Sequence, residues 1–122
     1  MNVSRTFTQH EQSFLHKVVE KLPADESRSL MRDIKDAISV TEEGDFVGVE
    51  LRDYRRPGYA GHRNLRWEGK LYDKDGGPVS VLVNLDQNER LLELEYIWWS
   101  SPSGTHLDWS TQEIVPGDRI GR

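Results

Sequence analysis

The hydrophobic period of this chain changes once, near Asp45, and that change limits the folds open to it. Before Asp45, apolar side chains recur with the 3.6-residue period of a helix; after it, they alternate with polar ones as in half-buried strands. Helices followed by a run of strands favour an α+β domain in which the two are segregated. The chain has 122 residues, room for one domain, so residues 1–122 are predicted to form a single unit.

Two amphipathic helices are predicted in the first part of the chain, at about 8–22 and 25–39. Thr8 and Glu11 have the spacing of a capping box, in which the Thr8 hydroxyl accepts a hydrogen bond from the Glu11 amide. Pro23 should end the first helix, because it has no amide hydrogen to donate and its ring clashes with the preceding turn.

A sheet is predicted over residues 45–115. Turn-forming residues at 73–78 and 86–89 separate the last three of four strands, and connections this short favour an antiparallel meander. The segment 107–115 would add a fifth strand, and 116–122 a C-terminal tail. The predicted fold is therefore α+β, with two N-terminal helices on one face of a four- to five-stranded, mainly antiparallel meander sheet. We expect the helices to cover the face that carries Val47, Trp67, Val81, Leu94 and Trp98.

Several classes of function are disfavoured by what the sequence lacks. It has no cysteine, which excludes a disulfide scaffold, a cysteine-based zinc site and a thiol nucleophile. It also has no nucleophile elbow, phosphate-binding P-loop or dinucleotide fingerprint. The polar residues 1–9 and the absence of a long apolar run predict a cytoplasmic protein without a membrane segment. We expect no enzymatic activity, no cofactor and no metal site.

An acid–base enzyme is the weakest of the functional alternatives. It would use His62 or His106 together with Glu93 or Asp108, and it would need a concave site that perturbs one of these groups. The sequence contains no sign of such a site.

An arginine-rich loop, residues 52–66, separates the first two predicted strands. It contains five arginines and one acid, a local charge of +4 in a chain of net charge −5. Guanidinium groups interleaved with aromatic rings suit phosphate or single-stranded nucleic acid, and they equally suit ion pairs with the chain's own carboxylates. The first interpretation makes the protein a small phosphate-ligand or RNA-binding module, with the ligand held by Arg52, Arg55, Arg56, His62 and Arg63.

The sheet face opposite the predicted core is mixed in character. Aromatic and aliphatic side chains surrounded by acids are typical of a protein-binding patch. On this interpretation the partner contacts Tyr72, Leu82, Glu93, Glu95, Ile97 and Trp99. Alternatively, the C-terminal segment with Leu107, Trp109 and Ile114 folds back over this face. An exposed sheet edge would also permit a homodimer.

A family resemblance rests on the stretches 67–73, 79–85, 92–96 and 107–109. They resemble a small bacterial domain of uncharacterised function, and over about 45–115 the chain is similar in size, charge and layout to immunity proteins of contact-dependent and other polymorphic toxin systems. The resemblance implies a cytoplasmic inhibitor that binds one cognate toxin domain and blocks its active site. Many such toxins are nucleases with positive surfaces, which an acidic partner would complement. The resemblance implies a protein partner, and nucleic acid is not the partner we expect.

Overall fold

The computed structural model of the chain describes residues 3–100 and 106–117. A short strand, β1 (Val3–Arg5), precedes two helices, α1 (Gln9–Val19) and α2 (Ala24–Asp36). The capping box that the sequence predicts is present at the start of α1. The Thr8 hydroxyl accepts from the Glu11 amide at 3.1 Å, and the Glu11 carboxylate accepts from the Thr8 amide at 2.9 Å.

Seven further strands follow the helices in the described part of the chain. They are β2 (Ala37–Glu43), β3 (Phe46–Leu51), β4 (Arg63–Asn64), β5 (Trp67–Asp73), β6 (Pro78–Leu85), β7 (Leu91–Trp98) and β8 (Leu107–Pro116). All of the strand pairs are antiparallel, and the sheet order is β1-β2-β3-β7-β6-β5-β8, with β4 paired to β6. The predicted α+β class and the meander β5-β6-β7 are confirmed. The sheet has eight strands in the described residues, however, and not four or five.

Both helices end earlier than the sequence predicts. Helix α1 was expected to reach about residue 22 and to be ended by Pro23, but it ends at Val19. We expected a helix to about residue 39, but α2 ends at Asp36 and β2 begins at the next residue. Ile38, Val40 and Thr41 are β-branched and fit a pleated strand better than a helix. Pairing of β2 with β3 on one side and β1 on the other then satisfies the backbone groups of this segment.

The helices cover the sheet face that the alternation predicted. Val47, Val81 and Leu94 are buried in the core, and Trp67 and Trp98 pack against it partly buried. Helix α1 contributes side chains that are completely buried, namely Phe14, Leu15 and Val18.

Strand β7 departs from simple alternation at its first residues. Asn84 pairs with Glu93, but its neighbour Leu85 pairs with Leu91, so one extra residue, Leu92, is accommodated in β7. This irregularity turns Leu91 into the core, where it is fully buried. In a regular strand Leu91 would lie on the same face as Glu93, away from the core.

The predicted fifth strand is present as β8, beside β5 at the edge of the sheet. The predicted C-terminal tail begins inside it, because Pro116 is the last residue of β8 and the Gly117 amide donates to the Arg66 carbonyl. Residues 118–122 of that tail lie outside the described residues.

Candidate functional site

The face of the sheet turned away from the helices is the candidate functional surface, and we refer to it as the open face. All six predicted contact residues lie on it: Tyr72, Leu82, Glu93, Glu95, Ile97 and Trp99. Cross-strand pairing between β6 and β7 brings them together, since Leu82 pairs with Glu95 and Ser80 with Ile97. Trp99 follows β7, and its indole nitrogen donates to Oγ of Ser80 at 2.9 Å. The sequence therefore predicted correctly which side chains share a face.

The six residues differ in how far they reach solvent. Trp99 is 62% exposed and Tyr72 is 39% exposed, so both rings are available for contact. Leu82 is only 5% exposed, although it lies outside the main core cluster. It forms the floor of the open face and is too deeply buried to serve as the contact residue that we expected. Glu93, Glu95 and Ile97 are half-buried between these extremes.

The acids of the open face are held by a buried amide. Asn84 is 0% exposed, and its Nδ2 atom donates to Oε2 of Glu93 at 2.8 Å and to Oε1 of Glu95 at 3.0 Å. The Asn84 oxygen accepts from Nδ2 of Asn64, which comes from β4. One amide therefore orients two carboxylates that lie two residues apart on the same face of β7. This arrangement presents fixed negative charge, and it was not predicted because it depends on the pairing of β4 with β6.

The C-terminal segment does not cover the open face in the way that we considered. Strand β8 extends the sheet beside β5, and its apolar residues Leu107, Trp109 and Ile114 pack against the core on the helix side. Within residues 106–117, the chain adds a strand to the edge of the sheet, and the open face keeps its exposed aromatic rings.

Two further aromatic residues extend the open face and were missed by the sequence prediction. Phe46 is 39% exposed and pairs with Glu95 across β3 and β7. Tyr59, from the arginine-rich loop, is 70% exposed, and its hydroxyl lies 2.7 Å from Nδ1 of His62. Together with Glu93, these residues line a shallow depression of about 600 Å³. The alternation around Val47 could have identified Phe46, but the pairing of β3 with β7 is not visible in local sequence.

The arginine-rich loop is partly neutralised by the protein itself. Nη1 of Arg56 lies 2.8 Å from Oδ2 of Asp86, and Nη2 donates to the Val49 carbonyl. Arg63 forms an exposed ion pair with Glu89 at 3.0 Å. Arg56 and Arg63 therefore form ion pairs with the chain's own carboxylates, which is one of the two alternatives that the sequence left open.

The remaining arginines of the candidate ligand loop are exposed. The side chains of Arg52 and Arg55 form no ion pair with another described residue, and His62 contacts Tyr59. The five predicted residues therefore fall into three groups. Arg56 and Arg63 pair with carboxylates, and Arg52 and Arg55 are exposed. His62 contacts the hydroxyl of Tyr59.

The predicted acid–base pairs are not formed among the described residues. No hydrogen bond joins His62 or His106 to Glu93 or Asp108. Asp108 instead accepts from the Ser110 hydroxyl and amide, and these hydrogen bonds hold the pKa of its carboxyl below the usual range. Within residues 3–100 and 106–117, no group of three His, Asp or Glu side chains is arranged to hold a metal ion.

None of the described helices is long and apolar enough to cross a membrane.

Comparison with known proteins identifies a family for most of the chain. Searches among curated proteins and among solved structures each found no match. The model of one family, described as "Domain of unknown function (DUF6984)", matches residues 4–102, and the chain therefore belongs to this family.

Proposed function

We propose that this chain is a non-enzymatic, cytoplasmic protein-binding domain that uses its open face to bind a partner protein. The observation that carries the proposal is the presence of four exposed aromatic rings on the side of the sheet turned away from the helices: Phe46, Tyr59, Tyr72 and Trp99. Following the family resemblance, the partner is a cognate toxin domain, and the protein neutralises it as an immunity protein.

The open face has the composition and the ordered side chains of a binding surface. Aromatic residues grouped on an exposed surface are a common mark of interfaces, and Trp and Tyr are enriched among the residues that dominate binding energy. The Trp99 ring is already oriented by its hydrogen bond to Ser80. The carboxylates of Glu93 and Glu95 are likewise held by Asn84. Side chains that are ordered before association lose less entropy when the complex forms.

The charge of the chain supports a basic partner surface. The net charge is −5, and Glu93 and Glu95 lie among the aromatic rings of the open face. Opposite charge on the two partners raises the association rate and disfavours wrong partners. A toxin that binds the phosphates of nucleic acid would carry a positive surface of this kind.

The experiment is co-expression with the product of the open reading frame immediately upstream, scored by growth rescue and by co-purification. Trp99→Ala should weaken a complex by at least about 2 kcal/mol, or roughly 30-fold in Kd, if Trp99 is a central contact. Met31→Ala is the matched control, since Met31 is an exposed apolar residue on α2, 41% accessible. We expect the control to leave Kd unchanged.

Two results would contradict this proposal. A neighbouring product that is harmless and does not co-purify removes the toxin partner. Equal weakening by Trp99→Ala and Met31→Ala, with both variants folded, removes the open face as the binding surface.

A second candidate function is a small phosphate-ligand or RNA-binding module. The observation in its favour is the exposure of Arg52 and Arg55 without an ion pair to another described residue. This function predicts RNA binding that falls steeply with salt, because neutralised phosphates release counterions. Arg52→Ala and Arg55→Ala would each reduce that binding, whereas Trp99→Ala would not.

A further inference from the structure

A second pocket lies on the helix side of the sheet, and it shares the turn residues Gly44 and Asp45 with the depression on the open face. It has a volume of about 380 Å³ and lies between the start of α1, the turn joining β2 to β3, and the strands β7 and β8. Three aromatic residues line it, namely Tyr96, Trp98 and Trp109. The depression on the open face contains fewer of them, namely Phe46 and Tyr59.

The aromatic rings are held by one another. The centroids of Tyr96 and Trp109 are 6.4 Å apart with the ring planes at 87°, so the two rings meet at a right angle. His10 stacks parallel to Trp109 at 5.8 Å, and Phe14 packs against the same indole at 6.3 Å. Trp109 is therefore fixed by three neighbours, and the corner that it forms with Tyr96 is preorganised.

The charged groups of the pocket carry a negative surplus. Arg5 donates to both carboxylate oxygens of Glu11 at 2.8 and 2.9 Å, and to Glu42 at 2.8 Å. A third carboxylate, Asp45, also lines the pocket, and its side chain forms no ion pair with another described residue. Among the Asp, Glu and Arg side chains that line the pocket, three carboxylates face one guanidinium, which leaves two negative charges in excess.

We propose that this pocket binds an organic cation of the alkylammonium type, held by cation–π contact with Tyr96, Trp98 and Trp109 and by the negative charge of Asp45 and Glu42. Aromatic faces attract cations through the ring quadrupole, and the attraction grows when the cation is partly desolvated. An anion would be repelled by the excess of carboxylates in the pocket. The same ammonium group occurs on free amines and at the end of a lysine side chain, and both fit this chemistry.

The test is a titration of the full chain followed by NMR of the four tryptophan indole N–H signals, assigned with single Trp→Phe variants. Choline is the probe, and 3,3-dimethylbutan-1-ol is its neutral analogue of nearly the same shape. We expect choline to shift the signals of Trp98 and Trp109, with Kd on the order of millimolar for a single exposed cation site. The signals of Trp67 and Trp99 should stay in place, and the neutral analogue should bind at least about fivefold more weakly.

Charge variants make the test specific. Asp45→Asn keeps the shape of the side chain and should raise the Kd for choline about threefold to tenfold, as expected for the loss of one nearby charge. Glu113→Gln is the matched control, because Glu113 is an exposed acid that pairs with Lys70 on the other face of the sheet. It should leave the Kd unchanged.

A lysine-containing tripeptide with blocked ends distinguishes the two sources of the cation. Binding of the peptide tenfold tighter than choline supports a lysine side chain as the occupant, and binding of both with similar Kd supports a free amine. Equal shifts with the neutral analogue, shifts confined to Trp67 or Trp99, or an unchanged Kd in a folded Asp45→Asn variant would each overturn the proposal. None of these outcomes depends on the partner of the open face.

Discussion

The hydroxyl of Tyr54 donates a hydrogen bond to Oδ2 of Asp86 at 2.6 Å, and this contact ties the arginine-rich loop to the turn between β6 and β7. The same oxygen also accepts a hydrogen bond from Nη1 of Arg56 at 2.8 Å. The other carboxylate oxygen, Oδ1, accepts hydrogen bonds from the backbone amides of Asn88 and Arg90. Asp86 is 2% exposed, so one buried carboxylate organises both the loop and the turn. The loop is therefore held by the protein's own charges at this end.

Asp86 should make the stability of the protein depend on acid pH. Burial by itself raises the pKa of Asp86, but hydrogen bonds from Tyr54, Arg90 and Arg56 outweigh it and hold the pKa below its usual range. A carboxyl with a lowered folded-state pKa stabilises the fold above its unfolded pKa of about 4. That stabilisation is lost as the pH falls through the folded pKa. We therefore expect the free energy of unfolding to decrease below about pH 4.

Urea unfolding between neutral and acid pH measures this effect. Asp86→Asn should lower stability at neutral pH by about 2 kcal/mol and should flatten the acid dependence. Asp75→Asn is the control, since Asp75 is an exposed acid in the turn between β5 and β6. An Asp86→Asn variant with the acid profile of the wild type would contradict the role assigned to this carboxylate.

Gly69 should be intolerant of even one added carbon. A Cβ placed on Gly69 would lie 2.6 Å from Cε1 of Phe14, a separation that real Cβ atoms essentially never show. Gly69→Ala should lower the free energy of unfolding by about 1–3 kcal/mol through overpacking between α1 and β5. Gly48→Ala is the matched control, because its Cβ would lie 3.8 Å from the Thr41 carbonyl in ordinary contact. Equal stability of the two variants in thermal unfolding would contradict the close approach of α1 to the sheet.

Asp33 should be the most costly polar residue to remove from α2. It is 1% exposed, and it accepts from Nε of Arg90 at 2.9 Å and from the Leu91 amide at 2.9 Å. Asp33→Ala leaves a half-buried guanidinium and a buried amide without this partner, which should cost about 3 kcal/mol. Chemical unfolding of this variant beside Lys35→Ala, an exposed change in the same helix, gives the comparison. A loss below about 1 kcal/mol would show that α2 is held to β7 by other contacts.

The capping box should contribute measurably to α1. Thr8→Ala removes the acceptor for the Glu11 amide and should lower stability by about 1 kcal/mol. Thr6→Ala, an exposed threonine just before the cap, should change stability by less than about 0.5 kcal/mol. Thermal unfolding followed by far-ultraviolet circular dichroism compares the two, and a larger effect at Thr6 would contradict the assignment.

The local sequence pattern predicted the structure correctly where the deciding interactions join residues that are close in the chain. Thr8 and Glu11 are three residues apart, so their cap forms within one turn of helix. The turns at 73–78 and 86–89 are short, so the meander followed from chain length and turn chemistry. At the end of α2 local pattern failed, because Ile38 fits both a helical stripe and a strand, and the partner strands β1 and β3 decided between them.

For the candidate site, too, the sequence predicted one part and the tertiary structure decided the other. Alternation on β5, β6 and β7 placed Tyr72, Leu82, Glu93, Glu95, Ile97 and Trp99 on one face, and the structure agrees on that placement. How exposed each one is depends on neighbours that are distant in sequence. Leu82 is buried although its face is open, and the acids are held by Asn84 and Asn64.

The sequence by itself determined the fold class, the start of the first helix, the three-stranded meander and the two faces of the sheet, because these depend on periodicity and on contacts a few residues apart. Only the tertiary structure decided that β3 pairs with β7, that β8 extends the edge beside β5, and that Tyr96 meets Trp109 beside Asp45. The physical reason is that these contacts join segments far apart in the chain. They are selected by the packing of the whole core, and no local propensity encodes them.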